Sequence, residues 1–264
     1  MKPGTRYRVA LLTNDPILLV LLAGGVLFLN ISFFGTGVLE ASELALSAYR
    51  KAILFWSSLQ NVMGLIIPIT AMYLGLRLLG PELDGGQWYV ELSCAKSRIA
   101  LFWRHVVPAL VILVSFVAAL TVDAYALGRV SKMPDDFANL WTFFSGYCTQ
   151  GAVYFSVGLL SSVVFWGWGG LASCLAFFVM ASIVVDGVVP FLNLSLMLPK
   201  WINRPLHFVF PAMGQYLNLS DPDAIVTGSM PLFFRMGLHH HWYQLTWAAM
   251  VGSIAALAAS RKDY

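Results

Sequence analysis

Residues 17–34 read ILLVLLAGGVLFLNISFF, about 18 positions without one charged side chain. Wound as a helix at about 1.5 Å per residue, such a run covers most of a hydrocarbon core roughly 30 Å thick. Lys2, Arg6 and Arg8 precede it, as in a secretory leader. The run is nevertheless longer than a usual leader core, and no Ala-x-Ala cleavage pattern follows it. It reads as a retained membrane span.

The same texture extends along the chain. Of 264 residues, 59% are hydrophobic and 11% charged, against about a quarter charged in soluble domains. A water-soluble fold must keep a largely polar surface, which this composition cannot supply. In lipid the backbone has to satisfy its own hydrogen bonds, so the spans are helices or a closed barrel. A barrel shows roughly ten-residue alternating segments, whereas this chain has long unbroken apolar runs. The expectation is an all-α membrane protein, a single domain over residues 1–264. About six transmembrane helices are expected, near 17–34, 55–79, 99–127, 141–164, 169–190 and 242–259. Pro68 and Pro108 fall inside two of them, and membrane helices tolerate this because neighbours re-satisfy the freed carbonyls. The formal charge of +3 comes without a basic run, so nucleic acid is not an expected partner. Cys94, Cys148 and Cys174 form no CxxC pair and read as small buried residues.

Loop charges suggest an orientation. With a cytoplasmic N-terminus, nine cations (Lys2, Arg6, Arg8, Arg77, Lys96, Arg98, Arg104, Arg261 and Lys262) lie inside and seven outside. The outer loops gather the acids Glu40, Glu43, Asp135, Asp136, Asp221 and Asp223. Both termini are therefore expected in the cytoplasm of a multi-pass protein of the inner or plasma membrane. The fourth and fifth spans are joined by almost nothing, around Trp166-Gly167-Trp168. The fifth-to-sixth connection is long, apolar and proline-rich. Its segments 191–198 and 206–217 are too short to cross and suit re-entrant or interfacial helices.

The connection between the second and third spans reads GPELDGGQWYVELSCAKSR over residues 80–98. Gly80-Pro81 ends a helix and Gly85-Gly86 makes a turn. A short helix from Gln87 to Ala95 would align Trp88, Leu92 and Ala95 on one stripe, with Glu91 and Lys96 elsewhere. Such an amphipathic element can dock in a partner's groove through an aromatic anchor. This stretch resembles the ABC type-2 permease family, which has an acid, a glycine, a short apolar helix and Ser-Arg between its second and third spans. The residues carrying the likeness are Glu82, Gly85 or Gly86, Trp88, Leu92, Ser97 and Arg98, and the likeness implies an ATPase-coupling set that also takes in Tyr89 and Glu91. Leu11-Leu12-Thr13-Asn14-Asp15-Pro16 is similar to the family's entry segment ending in Asp-Pro, though shorter and poorer in charge.

The resemblance implies that residues 82–98 couple to a separate cytoplasmic ABC ATPase subunit, which would bind ATP and Mg. It also implies a second permease, either a copy of this chain or a sister chain, and a cargo path between the two. The segments between helices five and six become outer re-entrant helices. The chain has no GxxxxGK[ST] phosphate loop, so it carries no ATPase site of that kind itself. The expected function is permease subunit of an exporter for an amphipathic drug, peptide or lipid-like compound. Two rivals stand beside it: an ion-gradient-driven transporter, and a membrane assembly factor or enzyme without transport.

Each notable residue also has a plainer reading. Glu82 can cap a turn, and Trp88 can be an interfacial tryptophan. Arg77, Asp123 and Asp186 sit at or near span ends, where they either line a substrate path or reach to the interface. His239-His240-His241 do not share a helical face and read as a polar collar rather than a metal site. The methionines between spans five and six read as apolar filler. Asn30-Ile31-Ser32 matches a glycosylation pattern but lies inside a span.

Overall fold

A computed structural model describes residues 14–35, 62–79, 90–91, 93, 95, 97–130, 137–165, 167–181 and 238–261. Nearly all of these residues are helical, with no strand among them. The long elements are α1 (Pro16–Gly35), α2 (Val62–Leu79), α3 (Arg98–Val130), α4 (Phe137–Val164), α5 (Trp168–Phe178) and α6 (Leu238–Arg261). Each falls on one of the expected segments. Three of them, α1, α2 and α3, are long and apolar enough to cross a membrane. Residues 55–61 and 182–190 of the expected second and fifth spans lie outside the described residues. So do segments 191–198 and 206–217, and the coupling stretch from Gly80 to Tyr89.

Local chemistry sets the boundaries. Asp15 caps α1: the amides of Ile17 and Leu18 donate to its Oδ1 at 3.0 and 3.3 Å. Pro16 follows at the first helical position, where a missing N–H costs nothing. Ser97 caps α3, its Oγ accepting from the Ala100 amide at 3.3 Å and its carbonyl from the Leu101 amide at 3.1 Å. Within α3, Pro108 is buried and the helix runs through it. Gly167 turns the chain from α4 into α5 with φ of 51°, a left-handed conformation that a side chain would strain.

The helices alternate in direction. Contacts join the start of α1 to the end of α2, and the start of α3 to the end of α6. The parallel pair α2 and α4 cross backbone to backbone. A Cβ built on Gly75 would lie 2.5 Å from the Phe155 carbonyl oxygen and 2.7 Å from the Leu159 nitrogen. One built on Gly158 would collide with the Met72 carbonyl oxygen. Small residues let membrane helices approach this closely, and packing rather than hydrophobicity then holds them together.

Two apolar clusters stack along the bundle. One unites Leu101–Leu113 of α3, Val153–Val163 of α4 and Trp247–Ala259 of α6 with the end of α2. The other joins Leu29 and Phe33 of α1, Met63 and Ile67 of α2, Phe116–Leu127 of α3, and Phe143 and Tyr147 of α4. Tyr154 is fully buried, with Phe177 and Phe178 of α5 at 5.8 and 6.1 Å. The outer surface is apolar: Val20, Leu27, Ile31 and Phe34 of α1 and Val111 and Val122 of α3 are all exposed. The polar residues Thr149, Gln150, Ser156, Ser161 and Ser162 of α4 are instead buried. This inversion suits lipid as the surrounding solvent.

Candidate functional site

One end of the bundle carries a row of polar ties. Asp15 is buried, and Arg77 Nε donates to its Oδ2 at 2.6 Å. Tyr73 Oη, one turn back on α2, donates to the same carboxylate at 3.0 Å. Burial pushes the Asp15 carboxyl upward, but the Arg77 guanidinium, the Leu18 amide and the Tyr73 hydroxyl outweigh it. The net effect holds the group below its ordinary value. Arg77 thus fastens α2 to the cap of α1.

The residues just before α3 meet the bundle at the same end. Glu91 Oε2 lies 3.2 Å from Nε2 of His105, whose imidazole is 1% exposed while the Glu91 side chain is 41% exposed. A carboxylate can only accept, so this contact requires the Nε2–H form of the ring or the imidazolium. Arg98 Nη1 donates to the Ser260 carbonyl at 2.7 Å, joining the start of α3 to the last turn of α6. That carbonyl is one of the orphan acceptors at a helix end, where a cation is favoured.

A second set of polar groups lies inside the bundle. The Thr149 hydroxyl donates to Gln244 Oε1 at 2.6 Å and sits 3.4 Å from Nδ1 of His241, joining α4 to α6. Thr121, Ser156 and Ser162 fold their hydroxyls back onto their own helix, to the carbonyls of Val117, Val153 and Leu159. Thr70 and Gln150 behave differently: among the described residues, nothing bonds Thr70 Oγ1 or Gln150 Oε1, though both side chains are buried. Nearer the other end, Asn30 Nδ2 of α1 donates to Asp123 Oδ2 of α3 at 2.8 Å and to the Val26 carbonyl at 2.9 Å. Among the described residues, no group of three His, Cys, Asp or Glu side chains converges as a metal site would.

Of the residues singled out in the sequence, Glu91, Ser97 and Arg98 come together around the foot of α3. Arg77 stands at the same end in its tie to Asp15. Asp123 lies apart, toward the opposite end. Glu82, Gly85, Gly86, Trp88, Tyr89, Leu92 and Asp186 lie outside the described residues. Tyr73, His105, Thr70, Gln150 and Gln244 were missed. Asn30 carries a visible signal beyond its glycosylation pattern, being the lone amide in the apolar run 17–34. No protein-family model matches the chain, and comparison with curated proteins returns none that is similar to it.

Proposed function

We propose that this chain is a six-span permease subunit of an ATP-driven exporter of the ABC type-2 kind, moving an amphipathic cargo. A cytoplasmic ATPase would dock on residues 82–98, and a second permease would complete the path. One arrangement carries the reading. The connector ahead of α3 is tied by Glu91 to the buried His105, and Arg98 ties the start of α3 to the end of α6. A pull on the connector is thereby handed to two long helices at once, as a coupling element requires. Arg77 and Asp15 bind α1 to α2 at the same end, so the moving parts share one anchored face. ATP binding in the partner would close its dimer, draw on Trp88 and Leu92, and rock the two permease halves outward.

The test is co-purification with a candidate cytoplasmic ATPase, followed by vanadate-sensitive ATP hydrolysis in proteoliposomes. Cargo should stimulate hydrolysis, and Trp88→Ala or Glu82→Ala should abolish stimulation while leaving the protein folded. Full cargo movement in those variants, or movement that ignores vanadate and collapses with a protonophore, sinks the proposal. The second outcome would favour an ion-gradient-driven transporter.

A further inference from the structure

Asp123 lies seven residues before Val130, the last residue of α3, and Asn30 five before Gly35, the last of α1. At about 1.5 Å per residue, both sit roughly 7–10 Å in from the helix ends. The orientation of the Asn30 amide is not arbitrary. Val26 O can only accept, so the group facing it is the NH2. Its two hydrogens are then committed, one to Val26 O and one to Asp123 Oδ2. That leaves Asp123 Oδ1 and Asn30 Oδ1 as further acceptor atoms of the same hydrogen-bonded pair.

A carboxylate set among apolar side chains needs a positive partner or a proton. Among the described residues no Lys, Arg or His side chain pairs with Asp123; the described ion pairs are Asp15–Arg77 and Glu91–His105. The surroundings are apolar and aromatic. Ala124, Leu120, Leu127, Leu29 and Phe33 form the packed cluster on one side. Val122, next in the chain, is 67% exposed on the outer surface, and Phe34 is 57% exposed. An acid on α3 between a buried apolar cluster and an apolar outer surface suits a cation carried on an apolar body.

We propose that the Asn30–Asp123 pair is a binding site for the cationic head of a membrane-soluble amphiphile, its charge on Asp123 and its apolar body against α1 and α3. That this ligand is cargo rests on the exporter reading above; that it is cationic rests on the geometry alone. The experiment is equilibrium binding to the full chain in lipid nanodiscs, with tetraphenylphosphonium as probe and uncharged triphenylphosphine oxide as its control. The wild type should bind the cation and discriminate against the neutral compound. Asp123→Asn, which keeps size and an acceptor for Asn30, should weaken cation binding at least roughly tenfold. Asp123→Glu should restore most of it, and Asn30→Ala should weaken it. Thermal unfolding of Asp123→Asn close to wild type excludes misfolding as the cause. Equal cation binding by wild type and Asp123→Asn, or equal binding of the two probes by the wild type, overturns the site. No ATPase is needed for this readout. Cation binding through Asp123 without any coupled ATPase would leave the site standing and remove the exporter reading; coupled ATPase with binding indifferent to Asp123 would do the reverse.

Discussion

Replacing Gly158 with alanine tests the packing on which the bundle rests. The added methyl would collide with the Met72 carbonyl oxygen and lie 3.1 Å from the Gly75 Cα. At the mirror position, a methyl on Gly75 would sit 2.5 Å from the Phe155 carbonyl oxygen, where an ordinary C···O approach is roughly 3.3 Å or more. The neighbouring atoms are backbone, so no side-chain rotation relieves the clash. The helices must part by roughly 0.8 Å, and a gap of that size forfeits a quarter to a half of each dispersion contact along the crossing. Overpacking of this kind costs about 1–3 kcal/mol, so with the lost contacts about 2–3 kcal/mol is expected. At about 2–4 °C per kcal/mol for a chain of this class, Gly158→Ala and Gly75→Ala should each lower the midpoint of thermal unfolding in detergent by roughly 5–10 °C. The double variant should fall short of the sum, because both methyls act on one contact. Gly24→Ala and Gly252→Ala are the controls, since a Cβ there meets nothing within 4 Å, and they should be neutral or slightly stabilising through helix propensity. Midpoints for Gly75→Ala and Gly158→Ala within about 1 °C of these controls would refute the close crossing.

Asp15 carries both a cap and an ion pair, and loss of a cap alone costs about 1 kcal/mol, so Asp15→Ala should lower the unfolding midpoint by at least roughly 2–4 °C. Because the carboxyl is held below its ordinary value of 3.8, its contribution is full above that value and disappears as pH falls through the depressed one. Unfolding followed from pH 7 into the acid range should therefore show a loss in wild type that is absent from Asp15→Asn, and parallel curves would contradict the tie. Thr70→Val removes a buried hydroxyl that has no partner among the described residues and should leave stability unchanged or raise it by about 1–3 kcal/mol; a clear drop in midpoint would show that the hydroxyl is bonded in the folded protein. If residues 82–98 transmit force, Glu91→Gln and His105→Phe should uncouple hydrolysis from cargo movement without abolishing assembly with the ATPase, measured as vanadate-sensitive hydrolysis per cargo transported.

Sequence and structure meet most closely where apolar character is continuous. The runs 17–34 and 99–127 are long enough that only a spanning helix accounts for them, and α1 and α3 lie where expected. In α4 the signal is diluted by Thr149, Gln150, Ser156 and Ser162, because hydropathy does not record which way a side chain faces; these residues turn inward. The site was legible only as residue types. Arg77 stood out as a charge near a span end, but its partner Asp15 lies 62 positions away, and no local periodicity links them. Ser97 was noted as half of a Ser-Arg pair, while its local role, capping α3, follows from a short hydroxyl side chain just before a long helix. Glu91 and His105 are 14 positions apart, and their meeting depends on how the connector folds back against α3. Asn30 and Asp123 were each visible, but only the packing of α1 on α3 makes them a pair.

The crossing of α2 and α4 bears on how the protein is made. The two helices run in the same direction, so a complete intervening pass, α3, must be synthesised and threaded the opposite way before their glycines can meet. Until then a nascent α2 presents bare backbone at Gly75, with a buried-type hydroxyl at Thr70, to whatever surrounds it in the bilayer. The tightest joint in the finished bundle therefore cannot close before α4 is in place, and a substitution there should register as degradation during biogenesis before any defect appears in the mature protein.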